Sequence, residues 1–299
     1  ILVDVEQARS HTAAEAHEVG MVFTFEHMSI DSGASGMKWD VVPLHLPSLK
    51  ANLAQWQYGL ADEGWNSLYF ENHDQPRSVS RFGDDSPEFR VASAKTLATT
   101  LHLLKGTPYV YQGQELGMTN AGFTAIEQYN DLESTRFFAE ASAAGGDPEQ
   151  LLGAIAFKSR DNGRTPMQWD ASPQAGFTTG EPWLRVTPNH DTVNAAAAIA
   201  DPGSVFHHYR ALIDLRHRLE VVRHGRFELL LPDDEHLFCY TRTLGDEVLL
   251  VVANWSSASV PLPEEDLPSL AGAQVLLGTH AFAPGDDLAA WESRIYRLA

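Results

Sequence analysis

"GWNSLYFENHD" (64–74) and "TPYVYQGQELG" (107–117) enclose "SPEFRVASAKTLATTLHLLKG" (86–106), and this order decides the fold. Each outer segment is an apolar, β-prone run that stops at a cluster of polar side chains. The middle one carries apolar residues at helical spacing, with Ser86 and Pro87 placed to open a helix and Gly106 to close it. Strand, helix and strand in succession predict a parallel sheet with helices outside it. An earlier pair, "GMVFTFEHMS" (20–29) and "LPSLKANLAQWQYGLADEG" (46–64), repeats the unit. The helix expected after the third strand, "SVFHHYRALIDLRHRLEVVRHG" (204–225), arrives only after an insertion covering about 118–203.

A structureless loop of that length is foreign to a compact domain, so the insertion reads as a folded excursion. One short helix is expected in it, around "GDPEQLLGAIAF" (146–157), while "NAAAAIAD" (194–201) reads as merely alanine-rich. From residue 226 the period changes to two. "RFELLLP", "HLFCYTRT", "EVLLVVANW" and "ESRIYRLA" predict an antiparallel sandwich.

The chain has 299 residues, 43% of them hydrophobic, enough for one large domain and a small one. Its 40 acidic residues outnumber 21 basic ones, giving a net charge of -19. Such a surface repels phosphate backbones and anionic lipid, so neither nucleic acid nor membrane is expected as a partner. Cys239 is the single cysteine, which excludes an intrachain disulfide framework. No apolar run approaches the roughly 20 residues of a spanning helix, and no leader pattern opens the sequence; a cytoplasmic location is expected.

In parallel α/β folds, reactive groups gather where loops converge at the carboxyl ends of the strands. Those ends supply Glu26-His27, then Asn72-His73-Asp74-Gln75-Pro76-Arg77, then Gln112-Gly113-Gln114-Glu115. "KSRDNGRTPMQWD" (158–170) adds Arg160, Asp161, Asn162 and Arg164. Carboxylates, amides, guanidinium groups and aromatic rings together suit a polyhydroxyl ligand. A Gly-rich phosphate cradle, paired-cysteine zinc ligands, His-Glu-x-x-His and Gly-x-Ser-x-Gly do not occur, so no cofactor or metal is expected. His207, His208 and His217 lie on a helical pattern and read as surface or core residues.

"FENHDQPRSVSRFGDD", "GTPYVYQGQELGMTN" and "SRDNGRTPMQWD...AGFTTGEPW" resemble, in order, motifs of the α-glucosidase and oligo-1,6-glucosidase branch of the α-amylase superfamily, glycoside hydrolase family 13. The resemblance runs nearly end to end. It implies strands six to eight of a (β/α)₈ TIM barrel over residues 1–225 and a C-terminal β-sandwich over 226–299. Asp74 resembles the family's transition-state-stabilising carboxylate, and His73 the imidazole that bonds the glucose hydroxyls. Arg160 resembles the arginine that grips the same sugar, and Phe25 and Glu133 fall near positions lining the aglycone side. The implied ligand is an oligosaccharide or disaccharide.

The family carries its nucleophile aspartate after the fourth strand and its acid/base glutamate after the fifth. The sequence begins without methionine, and the resemblance implies that both residues, and the usual calcium-binding loop, precede it. The expectation is therefore the C-terminal half of a retaining exo-α-glucosidase, inactive by itself, with the N-terminal half of the same enzyme as partner. A sucrose isomerase or glucosyltransferase of the family is the alternative. Those isomerases carry an arginine-rich loop where "GASGMKWDVV" (33–42) stands, and often Asn in place of Gln75. Two further alternatives are a non-enzymatic, glucosidase-like transporter subunit and an inactive fragment. Against the transporter subunit stand Asp74, His73 and Arg160.

Overall fold

The computed structural model describes residues 4–281 and 287–299; residues 1–3 and 282–286 of the two expected divisions lie outside the described residues. The chain enters through α1 (Val5–Thr12), capped by the Asp4 carboxylate, which accepts the Gln7 N–H. The 20–29 run is corrected from a strand to a single parallel bridge, Val22 to Asn66, followed by a 3-10 turn at Glu26–Met28. Glu26 is drawn out of the ladder because its carboxylate accepts from Trp56 Nε1 at 2.5 Å and Asn52 Nδ2 at 3.3 Å. Both partners lie on α2 (Leu46–Gly59).

The two decisive runs shrink to β1 (Ser67–Leu68) and β2 (Thr107–Pro108), paired in parallel with Ser67 opposite Thr107. Backbone bonds from Thr107 N to Asn66 O and from Tyr109 N to Leu68 O complete this short ladder. Between the strands run α3 (Ser78–Arg81) and α4 (Arg90–His102). The helix expected from Ser86 becomes regular only at Arg90, after a turn in which Ser86 Oγ accepts the Phe89 N–H. At Gly106 the chain returns so close to the sheet that a Cβ would sit 2.6 Å from the Asn66 carbonyl, with φ at +138°. Only glycine satisfies both demands.

The insertion is more helical than its composition promises. It holds α5 (Leu132–Ala143), α6 (Pro148–Lys158), the one-turn α7 (Asp161–Arg164) and α8 (Ala195–Ala200). The alanine-rich run is thus a helix, nucleated by Asn194, whose side chain accepts the Ala197 N–H. The segment expected as one helix over 204–225 is two, α9 (Val205–Arg218) and α10 (Glu220–His224), broken at Leu219.

Then follow β3 (Arg226–Leu230), β4 (Leu237–Leu244), β5 (Glu247–Asn254), β6 (Gln274–Gly278) and β7 (Ser293–Arg297). They form one antiparallel sheet in the order β3-β4-β5-β7-β6. Alternation sends Phe238, Tyr240, Leu249, Val251 and Ala253 into the main core with α4 and α9. Leu237, Cys239, Leu250 and Val252 face the other way, covered by Leu267 and Leu288. That second layer is loop, pinned by a Val260–Leu288 bridge. Lys50 of α2, fully buried, gives its ammonium to the carbonyls of Leu231, Asp234 and Leu237, tying the first part of the chain to the sheet.

Candidate active site at the strand ends

After β1 the buried Tyr69 and Phe70 carry the chain to Glu71, where the polar cluster begins. Asn72 folds it back by accepting the Asp74 N–H on its side-chain oxygen at 2.7 Å, and the Gln75 N–H on its carbonyl at 3.2 Å. Arg77 anchors this turn from below. Its buried guanidinium donates to Gln112 O at 2.6 Å and Asn162 O at 3.2 Å, and pairs with Glu71 at 3.3 Å. One arginine thereby joins three loops. Burial pushes the Glu71 carboxyl upward, and the bonds from Ser78 and the charge of Arg77 offset only part of that push.

Asp74 projects above the anchor with its side chain about half exposed. Its Oδ1 accepts from Arg164 Nη2 at 2.7 Å and lies 3.5 Å from Arg160 Nη1, while Oδ2 lies 3.2 Å from His73 Nε2. Arg164 also donates to the His73 carbonyl at 2.7 Å, so it fixes both residues. The structure brings His73, Asp74 and Arg160 together despite the length of chain between the first two and the third.

Arg160 sits just before α7 and is held by a carboxylate that sequence reasoning passed over. Asp131, the N-cap of α5, accepts from Arg160 Nη2 at 2.5 Å and Nε at 3.0 Å. Burial raises the Asp131 carboxyl, but the bonds from Arg160 and Ser134 outweigh it and hold the group below the usual range. The same bond to Asp131 raises the Arg160 guanidinium further. Glu133 lies 3.6 Å from Arg160 Nε and accepts from Lys38 Nζ at 2.7 Å. The Phe25 ring stands edge-on to Tyr69, 6.0 Å between centroids.

Two hollows meet at Phe25 and Asp74. One, about 370 Å³, is bounded by Lys38, Gln75, Glu133 and Arg160. The other, about 360 Å³, has aromatic walls in Phe23, Tyr69, Tyr109 and Tyr111, with His73 at its rim. A larger open hollow beside Ser172–Glu181 carries one charged side chain, Glu181, and offers no comparable chemistry.

Several polar strand-end residues turn out to be architecture. Glu26 serves α2. His27 is buried under Tyr69, its Nε2 donating to the Tyr69 carbonyl at 2.9 Å, and burial holds it neutral with a pKa lowered to about 4. Asp161 accepts the N–H groups of Asn130 and Asp131, and Asn162 that of Ala121. Glu115 accepts the Gly113 N–H. Asp31, Arg81 and Lys158, never singled out in the sequence, form a buried triad against the first hollow. Nothing short-range marks them, because each finds its partner through the fold. Among the described residues no cluster of three His, Cys, Asp or Glu could hold a metal, and no helix is long and apolar enough to cross a membrane.

Comparison with known proteins agrees with this layout. An oligo-1,6-glucosidase of Halalkalibacterium halodurans is 52% identical over 253 residues, covering 85% of this chain and 45% of the relative. The crystal structure of Bacillus licheniformis trehalose-6-phosphate hydrolase superposes with a TM-score of 0.95 at 39% identity, over 99% of this chain and 54% of the other. Isomaltulose synthase from Klebsiella sp. LX3 gives 0.91 at 34% identity, over 99% and 54%. The chain spans about half the length of the relatives it matches. Over the matched length those neighbours share its fold. The alpha-amylase catalytic domain matches residues 2–225, and the chain belongs to that family.

Proposed function

We propose that the chain forms the C-terminal half of a retaining, exo-acting α-glucosidase that hydrolyses α-1,6 or α-1,4 bonds of short, uncharged oligosaccharides. On this reading residues 1–225 complete a barrel with a preceding segment, and residues 226–299 form a second domain. The observation that carries the proposal is the environment of Asp74. It is the half-exposed carboxylate where the two hollows meet, with two arginines and an imidazole around it.

The glucose ring would occupy the aromatic hollow, its hydroxyls bonded by His73 and Arg160. Asp74 would stabilise the positive charge that develops on the sugar in the oxocarbenium-like transition state. Phe25 and Glu133 would contact the leaving sugar. Retention needs a nucleophile and an acid/base about 5 Å apart. The other carboxylates here are already engaged: Glu133 by Lys38, Asp131 by Arg160, Asp31 by Arg81 and Lys158, Glu71 by Ser78 and Arg77. On this reading both reacting groups are supplied by the preceding segment, as the family resemblance implies.

Hydrolysis is favoured over isomerisation by the 33–42 loop, which holds no arginine and whose Lys38 is bound to Glu133. A neutral sugar is favoured over a phosphorylated one because Lys38, Arg81, Lys158 and Arg160 around the first hollow all contact carboxylates. The test is glucose release from isomaltose, maltose and a disaccharide phosphate by the full-length protein, its Asp74→Asn variant and residues 1–299 alone. Only the unmodified full-length protein should turn over. The Asp74→Asn variant should still bind sugar, because the side chain keeps its size. Turnover by the isolated chain, or an unimpaired variant, would falsify the proposal.

A further inference from the structure

The site is assembled from two distant parts of the chain. Asp74 and Gln75 follow β1, whereas Glu133 and Arg160 belong to the insertion. Between them stands the buried triad, its side chains 1–2% exposed. Asp31 Oδ1 lies 2.5 Å from Lys158 Nζ and 2.7 Å from Arg81 Nη2, and Oδ2 accepts from Arg81 Nε at 2.8 Å. Arg81 also donates from Nη1 to Gln75 Oε1 at 2.6 Å and from Nη2 to the Met28 carbonyl at 2.6 Å. Guanidinium has donors only, so it dictates the Gln75 amide orientation and holds the residue next to Asp74. On the other arm, Lys158 ends α6 two residues before Arg160. One carboxylate thus grips a cation from each half of the site.

The charges do not balance, since two cations share one buried carboxylate. For stability alone, an apolar filling of the same volume does as well or better. We infer that the Asp31–Arg81–Lys158 triad is a positioning device that sets Asp74 against Arg160, and that Lys158 must be protonated for it to hold. The inference rests on the reading of Asp74 and Arg160 given above. Burial, with a contribution from Arg81, lowers the Lys158 ammonium to about 8, and Asp31 opposes that fall. The other charged group acting on it is Lys38, whose own ammonium is held by Glu133.

The sign separates function from folding. Between about 8 and the lysine value of the unfolded chain, the folded state binds fewer protons, so this group makes the fold more stable as pH rises. Activity lost through Lys158 in that window is therefore not loss of structure.

The test compares kcat and KM for isomaltose in the full-length enzyme, Lys158→Met and Lys158→Arg, from neutral to alkaline pH, with thermal midpoints measured alongside. Lys158→Met leaves the Asp31–Arg81 pair intact and should fold normally, yet lose about tenfold or more in kcat through misplacement. Lys158→Arg keeps the charge, so it should retain most activity at neutral pH and carry it further into the alkaline range. Wild-type kcat and alkaline limb in Lys158→Met would overturn the inference. If that variant fails to fold, an unmoved alkaline limb in Lys158→Arg overturns it instead. An unmodified enzyme inert on every α-glucoside would overturn the functional reading first, and this inference with it.

Discussion

A methyl group at Gly163 would stand 2.7 Å from the Gln75 carbonyl and 3.0 Å from that of Asn72. Those carbonyls belong to the turn that presents Asp74, so the insertion and the β1 loop touch backbone to side-chain position with no slack. Gly163→Ala must push that turn aside. It should cost about 1–3 kcal/mol of stability through overpacking and, on the function proposed above, on the order of tenfold to a hundredfold in the full-length protein's kcat/KM through displacement of Asp74. Denaturant unfolding and isomaltose kinetics on the same preparation measure both, and kinetics equal to wild type would refute the contact's role. The sequence was most readable at this scale where residues cluster. His73, Asp74 and Arg160 stand in dense polar motifs, and the fold places them within one sugar ring of each other. The pairing of Asp31 with Arg81, fifty residues apart, gave no such sign. A charged residue whose partner is distant in sequence reads as solvated surface until the chain is folded.

Secondary elements were legible in type and much less so in extent. Apolar runs at 20–29, 64–74 and 107–117 mark what is buried, but a ladder needs a neighbour in register, and among the described residues the parallel pairing is confined to Val22 with Asn66 and Ser67–Leu68 with Thr107–Pro108. In the antiparallel sheet the period-two pattern located β3, β4, β5 and β7. It missed β6, "QVLLG", whose residues are exposed or half-buried and therefore do not alternate clearly. What joins this sheet to the helices is equally hidden in the sequence, because Lys50 looks like any helix-surface lysine. Its ammonium replaces water for three carbonyls, and burial lowers its pKa. Lys50→Met should leave those carbonyls unsatisfied and cost about 2–4 kcal/mol. The turn between β3 and β4 should loosen first. Cys239, fully buried on β4 with its thiol pushed up to about 12, is a built-in reporter. Its labelling by a thiol reagent should accelerate in the variant, and an unchanged rate would show that Lys50 does not hold the sheet down.

For the molecule as a whole, acidification sets two effects against each other. At neutral pH the net charge of -19 repels itself, and protonation on the way toward the pI of about 4.9 relieves that strain. Against this stand three buried histidines kept neutral mainly by burial: His27 and His102 lowered to about 4, His208 to about 3. His208 is bonded to Thr99 across the α4–α9 interface, and His102 to the Ala98 carbonyl. In the unfolded chain each takes up a proton below about pH 6.5. The folded state then binds fewer protons than the unfolded one, so stability is present above pH 6.5 and drains away as pH falls toward the folded values. The slope is about 1.4 kcal/mol per pH unit for each histidine. Surface repulsion is screened within about 10 Å at 0.1 M salt, whereas interactions of buried groups are screened much less. The two effects are therefore separable. In high salt the thermal midpoint should fall steadily between pH 7 and 5, and in low salt the fall should be shallower because relief of repulsion opposes it. His208→Gln, which keeps a hydrogen-bonding group near Thr99 but cannot titrate, should flatten the high-salt profile by about one third of its slope. A midpoint that stays level or rises on acidification in high salt would mean that the histidines do not govern acid stability.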